Sequence, residues 1–235
     1  MKKLSKMILL SFLLFGLIGT TFTNVEAATN SSYDPVTVKT VKYNGLNEVK
    51  YPQISGARNK TIEAKINKVL LQEGKNGFKS YEDYEKSEEE FKNKDPEHCA
   101  QWPLQCDYTS TTTYRAHYNN GSFLSVMFYT DVYGGGAHGN RLIKSYNFNL
   151  STGNQVSIKD ILNTDKKVKN TKNYIAKSIV KSKPHLKGIN ASHVDLNDAQ
   201  FLYYDKGISV VFNEYSIGSY ADGNIIVAVP KSVYK

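Results

Sequence analysis

Residues 122–150 read SFLSVMFYTDVYGGGAHGNRLIKSYNFNL, and this stretch decides the fold because two alternating segments flank a run of glycines. Side chains alternate along residues 123–133 and again along 142–150, which is the period of β-strands with two different faces. Three consecutive glycines and Ala-His-Gly separate these segments. Glycine reaches positive φ values that other residues avoid. We therefore predict a tight, specifically shaped connection over residues 134–139.

Neighbouring segments extend this pair into an antiparallel meander. Residues 108–118 are rich in Thr and Tyr, and Asn119-Asn120-Gly121 is a hairpin turn leading into the next strand. Ser151-Thr152-Gly153-Asn154 marks the turn after the last strand. Towards the C-terminus, residues 201–212 predict another hairpin around Asp205-Lys206-Gly207, and residues 225–229 predict a final strand.

The first strands come before the meander. Residues 35–43 alternate, Asn44-Gly45 is a strong hairpin signal, and residues 49–54 predict the returning strand. Pro52 lacks the amide hydrogen that a central strand would use, so this strand should be short or lie at an edge.

Helical spacing of apolar residues occurs in three segments. One helix should begin after Ala57 and end near Gly74, and a second, highly charged helix should cover residues 81–94. A third should start at Thr164 or Asp165, either of which could cap it, and end before Pro184. The sequence thus predicts an α+β fold of antiparallel β-sheets, arranged as a meander and hairpins, with two or three helices packed on them.

Residues 1–27 have the form of a secretory signal peptide. Three lysines precede an apolar run over residues 7–18, and Val25-Glu26-Ala27 places small residues at a cleavage site. The run is shorter than the roughly 20 residues of a spanning helix, although an uncleaved anchor remains the alternative. We expect cleavage near Ala27 and a secreted, extracellular or cell-wall-associated product that no longer contacts the membrane.

The mature chain should be basic. Removing residues 1–27 takes three lysines and one glutamate from a chain of formal charge +8, which leaves +6. A cationic surface attracts anionic polymers. The lysines are scattered, without the basic and aromatic clustering typical of nucleic-acid binding, so we expect no nucleic-acid partner.

Cys99 and Cys106 are the only two cysteines, and an exported chain predicts a disulfide between them. The short loop they close presents Trp102, which is a candidate contact residue or, alternatively, a cap on the core. A metal site combining both cysteines with His98 and His117 is the other alternative. Because the spacing does not match a zinc signature, we expect no metal.

Catalytic motifs are not evident. The five histidines fall in no metalloprotease, nucleophile-elbow or cysteine–histidine signature. His138 could hydrogen-bond to the backbone of its own turn or contact a ligand, and Asp131 could lie across the turn from it. We favour a non-enzyme without cofactor, while a wall-modifying hydrolase or deacetylase-related protein with a site at His138 stays open.

A family resemblance rests on several of these stretches. The chain resembles the paired domains of unknown function in the anti-sigma factor RsiV and the deacetylase PdaC. The first matching stretches are Tyr133 with residues 135–139, residues 149–153, and Ile158-Lys159-Asp160-Ile161-Leu162. Further similarity to the same domain pair lies towards the C-terminus, in residues 201–203, 208–212, 215–217, 220–223 and 229–230. Residues 49–56 resemble the start of the first domain of the pair. The resemblance covers most of the mature chain.

What this resemblance implies is binding. In RsiV the region recognises lysozyme, and in PdaC it precedes a separate catalytic domain. We expect the present chain to have neither a sigma-binding segment nor a deacetylase domain. The resemblance implies an N-terminal α+β domain over 28–140 and a C-terminal one over 141–235.

We expect a secreted, non-catalytic binding protein of the bacterial cell surface that recognises a wall glycan or a secreted wall-acting protein such as lysozyme, with a purely structural domain as the alternative. Its candidate ligand-binding residues are Tyr133, Gly135, Gly136, His138, Tyr215, Tyr220 and Trp102.

Overall fold

Eight strands form three antiparallel sheets in the computed structural model, which describes residues 34–197 and 199–235. The predicted signal peptide, residues 1–27, lies outside the described residues. The first sheet pairs β1 (Thr37–Lys42) with β2 (Lys50–Ser55). The predicted α+β class, with antiparallel sheets and helices packed on them, is confirmed.

The central sheet is the predicted meander. It contains β3 (Thr109–Asn119), β4 (Phe123–Tyr133) and β5 (Asn140–Asn149) in that order. The third sheet contains β6 (Gln200–Tyr204), β7 (Gly207–Phe212) and β8 (Ile225–Pro230).

Four α-helices accompany these sheets in the described residues. They are α1 (Lys60–Lys94), α2 (Pro96–Gln101), α3 (Ile158–Ile161) and α4 (Asp165–Ser182). Helix α4 begins where predicted, because the Thr164 side chain accepts a hydrogen bond from the Lys167 amide and caps its first turn.

Helix α1 corrects the prediction of two separate helices. It runs without a break through Gly74 and Gly77, both of which are buried. A Cβ atom at Gly74 would lie 2.7 Å from Cδ1 of Tyr51, and one at Gly77 would lie 2.6 Å from Oγ1 of Thr112. These glycines therefore allow the helix to approach the sheets closely, and they do not end it.

Two large hydrophobic cores and one small cluster stabilise the described part of the chain. Helix α1 covers one core with strands of the first two sheets, centred on fully buried Ile66, Leu70, Leu124 and Phe148. Helix α4 covers the other with the third sheet, where Ile175, Ile179, Ile208 and Val210 are fully buried.

Strand β6 is joined to the central sheet by a seam of buried polar side chains. Ser125 Oγ donates to Asn147 Oδ1 at 2.6 Å and accepts from the Tyr203 amide at 2.9 Å. The Asn147 amide donates to the Phe201 carbonyl at 2.7 Å. Residues 34–197 and 199–235 belong to one compact unit, and the predicted boundary near residue 140 stays a prediction.

Candidate functional site

The connection between β4 and β5, here called the glycine turn (residues 134–139), is shaped by glycine. Gly135 and Gly136 have φ values of +84° and +91°, which side-chain-bearing residues rarely adopt. The Tyr133 hydroxyl donates to the Gly136 carbonyl at 3.0 Å, and His138 Nδ1 lies 2.9 Å from the Gly139 carbonyl oxygen. Both ring-bearing residues are therefore fixed by backbone of the turn itself.

A second segment, the tyrosine loop (residues 213–224), meets the glycine turn from the other half of the chain. The His138 and Tyr220 rings stack with centroids 4.0 Å apart and planes 20° from parallel. The Tyr220 hydroxyl donates to the Gly139 carbonyl at 3.2 Å. Tyr215 lies 6.0 Å from Tyr220, centroid to centroid, and is 61% exposed. Together these rings form an aromatic surface open to solvent.

Asp222 stabilises the tyrosine loop from inside. Its carboxylate accepts from the amide and the hydroxyl of Ser219, each at 2.9 Å. Lys183 Nζ and His185 Nε2 lie 3.2 Å and 2.7 Å from its Oδ1. These hydrogen bonds, those from Ser219 first, hold the pKa of Asp222 far below its usual range. The loop is thereby attached to the C-terminal end of α4.

A cleft of about 530 Å³ lies between the glycine turn and the tyrosine loop. Arg141 and Asp131 are directly opposite each other on β5 and β4 and form a two-point ion pair, with Nε–Oδ1 2.5 Å and Nη2–Oδ2 3.0 Å. Hydrogen bonding to Asp131 raises the pKa of Arg141, which remains charged. The cleft is lined by Thr109, Asp131, Val132, Tyr133, Gly139, Asn140, Arg141, Glu214, Tyr220, Gly223 and Asn224.

Two buried polar atoms at the ends of the tyrosine loop, Asn224 Nδ2 and Asn213 Oδ1, lack a partner among the described residues. Asn224 lines the cleft, and its Nδ2 is buried without a hydrogen-bond partner among the described residues. Buried donors are almost always satisfied in native proteins. The described residues leave this donor unsatisfied.

The disulfide loop (residues 99–106) lies beside the glycine turn. The predicted bond between Cys99 and Cys106 is present. A Cβ at Gly135 would lie 2.8 Å from the Gln105 carbonyl oxygen, so the loop and the turn are in close contact. Trp102 is 51% exposed and Leu104 is 79% exposed. Trp102 is therefore a surface residue and does not cap the core.

The structure thus gathers most of the candidate residues at one place. Tyr133, Gly135, Gly136 and His138 belong to β4 and its turn, Tyr215 and Tyr220 reach them from the tyrosine loop, and Trp102 lies in the adjoining disulfide loop. Asp131 is bound by Arg141, while the His138 ring faces Tyr220 and Gly139. The predicted proximity of Asp131 and His138 across the turn has no hydrogen bond to support it.

Sequence reasoning missed Arg141, Glu214 and Asn224. A signal for Arg141 was present, because opposite charges at positions 131 and 141 are equidistant from Gly136 at the centre of a hairpin. Glu214 and Asn224 carry no comparable local signal, since their place in the cleft depends on how the tyrosine loop folds back. Among the described residues no cluster of His, Cys, Asp or Glu suits a metal ion.

Two family models match the chain on either side of this cleft. The model described as "Deacetylase PdaC" matches residues 39–141, and "Protein of unknown function (DUF3298)" matches residues 158–232. The chain is therefore similar to a PdaC-type domain in its first part and to a DUF3298 domain in its second, which confirms the predicted resemblance to paired domains. In this domain pair, the glycine turn and the Asp131–Arg141 pair come from the PdaC match, and the tyrosine loop comes from the DUF3298 match.

Solved structures of DUF3298 proteins share the fold. A DUF3298 family member from Bacteroides fragilis has a TM-score of 0.60 and 16% identity, over 85% of this chain and 90% of that one. A DUF3298 family protein from Pseudomonas aeruginosa has a TM-score of 0.51 and 10% identity, over 85% and 93% of the two chains. No curated protein matches the chain.

The domain pair and the disulfide indicate an extracellular type of domain whose function is unknown. Across the part of the chain that the structure describes, no helix is both long and apolar enough to cross a membrane.

Proposed function

We propose that this protein is a secreted, non-catalytic binding protein of the bacterial cell surface that recognises a cell-wall glycan in the cleft between the glycine turn and the tyrosine loop. The observation that carries the proposal is the stacked pair of His138 and Tyr220 beside the Asp131–Arg141 ion pair. The two halves of the chain each supply one side of this arrangement.

The chemistry of the cleft suits a saccharide. Sugar rings present apolar C–H faces that pack on aromatic rings, and the exposed Tyr215 and the partly exposed Tyr220 offer such faces. Sugar hydroxyls need fixed polar partners, which the ion-paired Arg141 and the neighbouring Glu214 provide. A volume of about 530 Å³ is within the range of small-ligand sites.

The unpaired amide of Asn224 supports the same proposal. A buried donor without a partner costs about 1–3 kcal/mol of stability, and a hydroxyl or acetamido oxygen of a glycan would satisfy it. Positive φ at Tyr215, +64°, is a further sign of a functional loop, because bulky residues adopt this conformation at a cost and such positions cluster in ligand-binding segments.

A second candidate ligand is a wall-acting protein such as lysozyme. The exposed Trp102 and Leu104 in the disulfide loop favour it, because aromatic and apolar anchors of this kind dominate protein interfaces. The hydrolase alternative gains little support, since Nδ1 of His138 faces a backbone carbonyl and Asp131 is bound by Arg141.

Sedimentation of the secreted chain with insoluble, purified peptidoglycan tests the proposal. Tyr220→Ala and His138→Ala should each lower retention at least fivefold, whereas Tyr220→Phe, which keeps the ring, should retain most of it. His117→Ala is the matched control, because His117 of β3 bonds to Tyr129 of β4 and does not line the cleft. Retention unaffected by Tyr220→Ala, or no retention of the unmodified chain at physiological salt, would contradict glycan binding.

Immobilised lysozyme serves as the parallel probe. Retention that is lost in Trp102→Ala and Leu104→Ala, but kept in Tyr220→Ala, would assign the function to the disulfide loop and a protein ligand. If the protein is retained on neither peptidoglycan nor lysozyme, and the cleft variants fold normally, the results favour a purely structural domain.

A further inference from the structure

A second cavity, here called the tyrosine cavity, lies at the opposite end of β4 from the glycine turn. Phe123 begins β4 and lines this cavity, whereas Tyr133 ends the strand beside the glycine turn. Because β4 has eleven residues, Phe123 and Tyr133 lie about 33 Å apart along the strand. The tyrosine cavity has a volume of about 530 Å³ and is lined by Tyr118, Asn120, Ser122, Phe123, Ile161, Lys167, Tyr203, Tyr204, Lys231, Tyr234 and Lys235.

An aromatic wall forms one side of the tyrosine cavity. The Phe123 and Tyr203 ring centroids are 4.5 Å apart, and Tyr118 lies 6.1 Å from Tyr203. Phe201 contacts Tyr203 edge-on at 5.4 Å, and the Tyr203 amide is bound by Ser125 of the polar seam. The wall is therefore held in place by the junction of the two halves, before any ligand arrives.

Three tyrosine hydroxyls in this cavity are available as donors. Tyr203, Tyr204 and Tyr234 line it, and the described residues provide no hydrogen-bond partner for their hydroxyls. Tyr234 is only 9% exposed. Burial raises the pKa of Tyr203 and of Tyr234 to about 12, so these phenols stay protonated at physiological pH.

Two lysines without a carboxylate partner line the cavity. Lys167 Nζ lies 3.0 Å from Asn163 Oδ1, and neither Lys167 nor Lys231 forms an ion pair with a described residue. The acidic groups nearest the wall are Asp205, close to Tyr118, and Asp160, which faces Tyr203 but is bound by Ser157. An anionic group on a ligand would thus find ammonium groups that lack a carboxylate partner.

We propose that the tyrosine cavity is a second ligand site, which binds an acidic saccharide. The sugar ring packs on the wall formed by Phe123 and Tyr203, its hydroxyls accept hydrogen bonds from the tyrosines, and its carboxylate lies at Lys167 and Lys231. Ring stacking, several neutral donors and unpaired cations coincide in this one cavity. The site is independent of the glycan cleft at the glycine turn.

Glucuronic acid and glucose are the matched probes, because they differ by one carboxylate on the same ring. In an NMR titration of the secreted chain, glucuronic acid should shift the amide resonances of Phe123, Tyr203 and Lys231 and leave those of His138 and Tyr220 unchanged. Glucose should bind at the same place at least tenfold more weakly. The affinity for glucuronic acid should fall as salt is added, because the contact is ionic.

Variants distinguish the contribution of the lysines to binding from that of the aromatic wall. The double variant Lys167→Gln, Lys231→Gln should lower glucuronic acid affinity about tenfold and leave glucose binding unchanged. The double variant Lys181→Gln, Lys187→Gln removes two exposed lysines outside the cavity lining and is the charge-matched control. Tyr203→Phe keeps the wall and removes one donor, so it should weaken both probes.

Three results would overturn the proposal: equal affinity for glucose and glucuronic acid, shifts confined to the glycine turn and tyrosine loop, or binding that the double variant does not weaken. A fourth result would also overturn it. If uridine monophosphate shifts the amide resonances of Phe123, Tyr203 and Lys231 while glucuronic acid does not, the cavity recognises a base and a phosphate.

Discussion

Ser125 Oγ lies 2.6 Å from Asn147 Oδ1, in the seam where the central sheet meets β6. Both side chains are buried, and each also bonds to backbone of β6, at Tyr203 and at Phe201. The two halves of the chain are therefore joined by directional hydrogen bonds that accompany a small apolar contact of Met127, Ile143, Leu202 and Val211.

Ser125→Ala should destabilise the whole chain. It removes the acceptor of the Tyr203 amide and a donor to Asn147, which leaves buried polar groups unpaired at a cost of about 1–3 kcal/mol. Urea unfolding followed by fluorescence measures the free energy of unfolding. Ser232→Ala, at an exposed serine, should cost less than about 0.5 kcal/mol. Equal stabilities of these two variants would show that the seam contributes nothing.

Tyr146→Phe should also be destabilising, for an electrostatic reason. Oε1 of the buried Glu73 accepts from Tyr146 Oη at 2.5 Å, Lys144 Nζ at 2.7 Å and Asn76 Nδ2 at 2.8 Å. Burial first, and then the bond to Glu73, raise the pKa of Tyr146 well above its usual range, so the phenol remains a donor. Its loss should cost about 1–3 kcal/mol.

Urea unfolding measures this effect as well. Tyr114→Phe is its control, because Tyr114 bonds to Thr40 in an exposed position and should lose less. A larger loss for Tyr114→Phe than for Tyr146→Phe would contradict the role given to Glu73.

Asp222→Asn should lower the melting temperature at pH 7 and make the tyrosine loop more accessible to proteases. The native-state pKa of Asp222 is depressed, so its contribution to stability is fully present above the unfolded value of about 3.9. That contribution decreases as the pH falls from there through the lower native pKa. The melting temperatures of the two proteins should therefore begin to approach each other below about pH 4 and differ less at each lower pH. A difference that grows on acidification would contradict this sign.

Tyr215→Gly and Tyr215→Ala should separate binding from stability. Both remove the exposed ring and should lower peptidoglycan retention to the same degree. Glycine tolerates the φ of +64° that alanine does not, so the Gly variant should be more stable than the Ala variant by about 1 kcal/mol. Urea unfolding and sedimentation with peptidoglycan measure the two effects. An Ala variant as stable as the Gly variant would show that the loop relaxes out of this conformation.

The sequence-based predictions succeeded where the information is local. Alternation over residues 122–150 predicted β4 and β5, and Thr164 predicted the start of α4. They failed at Gly74, where a glycine resembles a helix end in sequence but serves a contact with Tyr51, a residue of a distant strand. A local pattern does not reveal which surface a glycine faces.

The candidate site was predictable as a set of residues and not as an arrangement. His138 and Tyr220 are 82 positions apart, and their stacking depends on how the tyrosine loop is attached to α4 through Asp222. Glu214 and Asn224 join the cleft through the same loop. Such placement follows from tertiary packing, which has no period or spacing in the sequence.

The disulfide between Cys99 and Cys106 encloses a short loop, so it limits the unfolded chain only modestly, by roughly 2–3 kcal/mol. For the proposed protein ligand, the disulfide would act mainly on recognition. Trp102 and Leu104 are exposed on a segment that the disulfide already confines, so less conformational entropy would be lost on association. Reduction should therefore act on this preorganisation, slowing complex formation and weakening affinity for a protein partner while most of the fold persists.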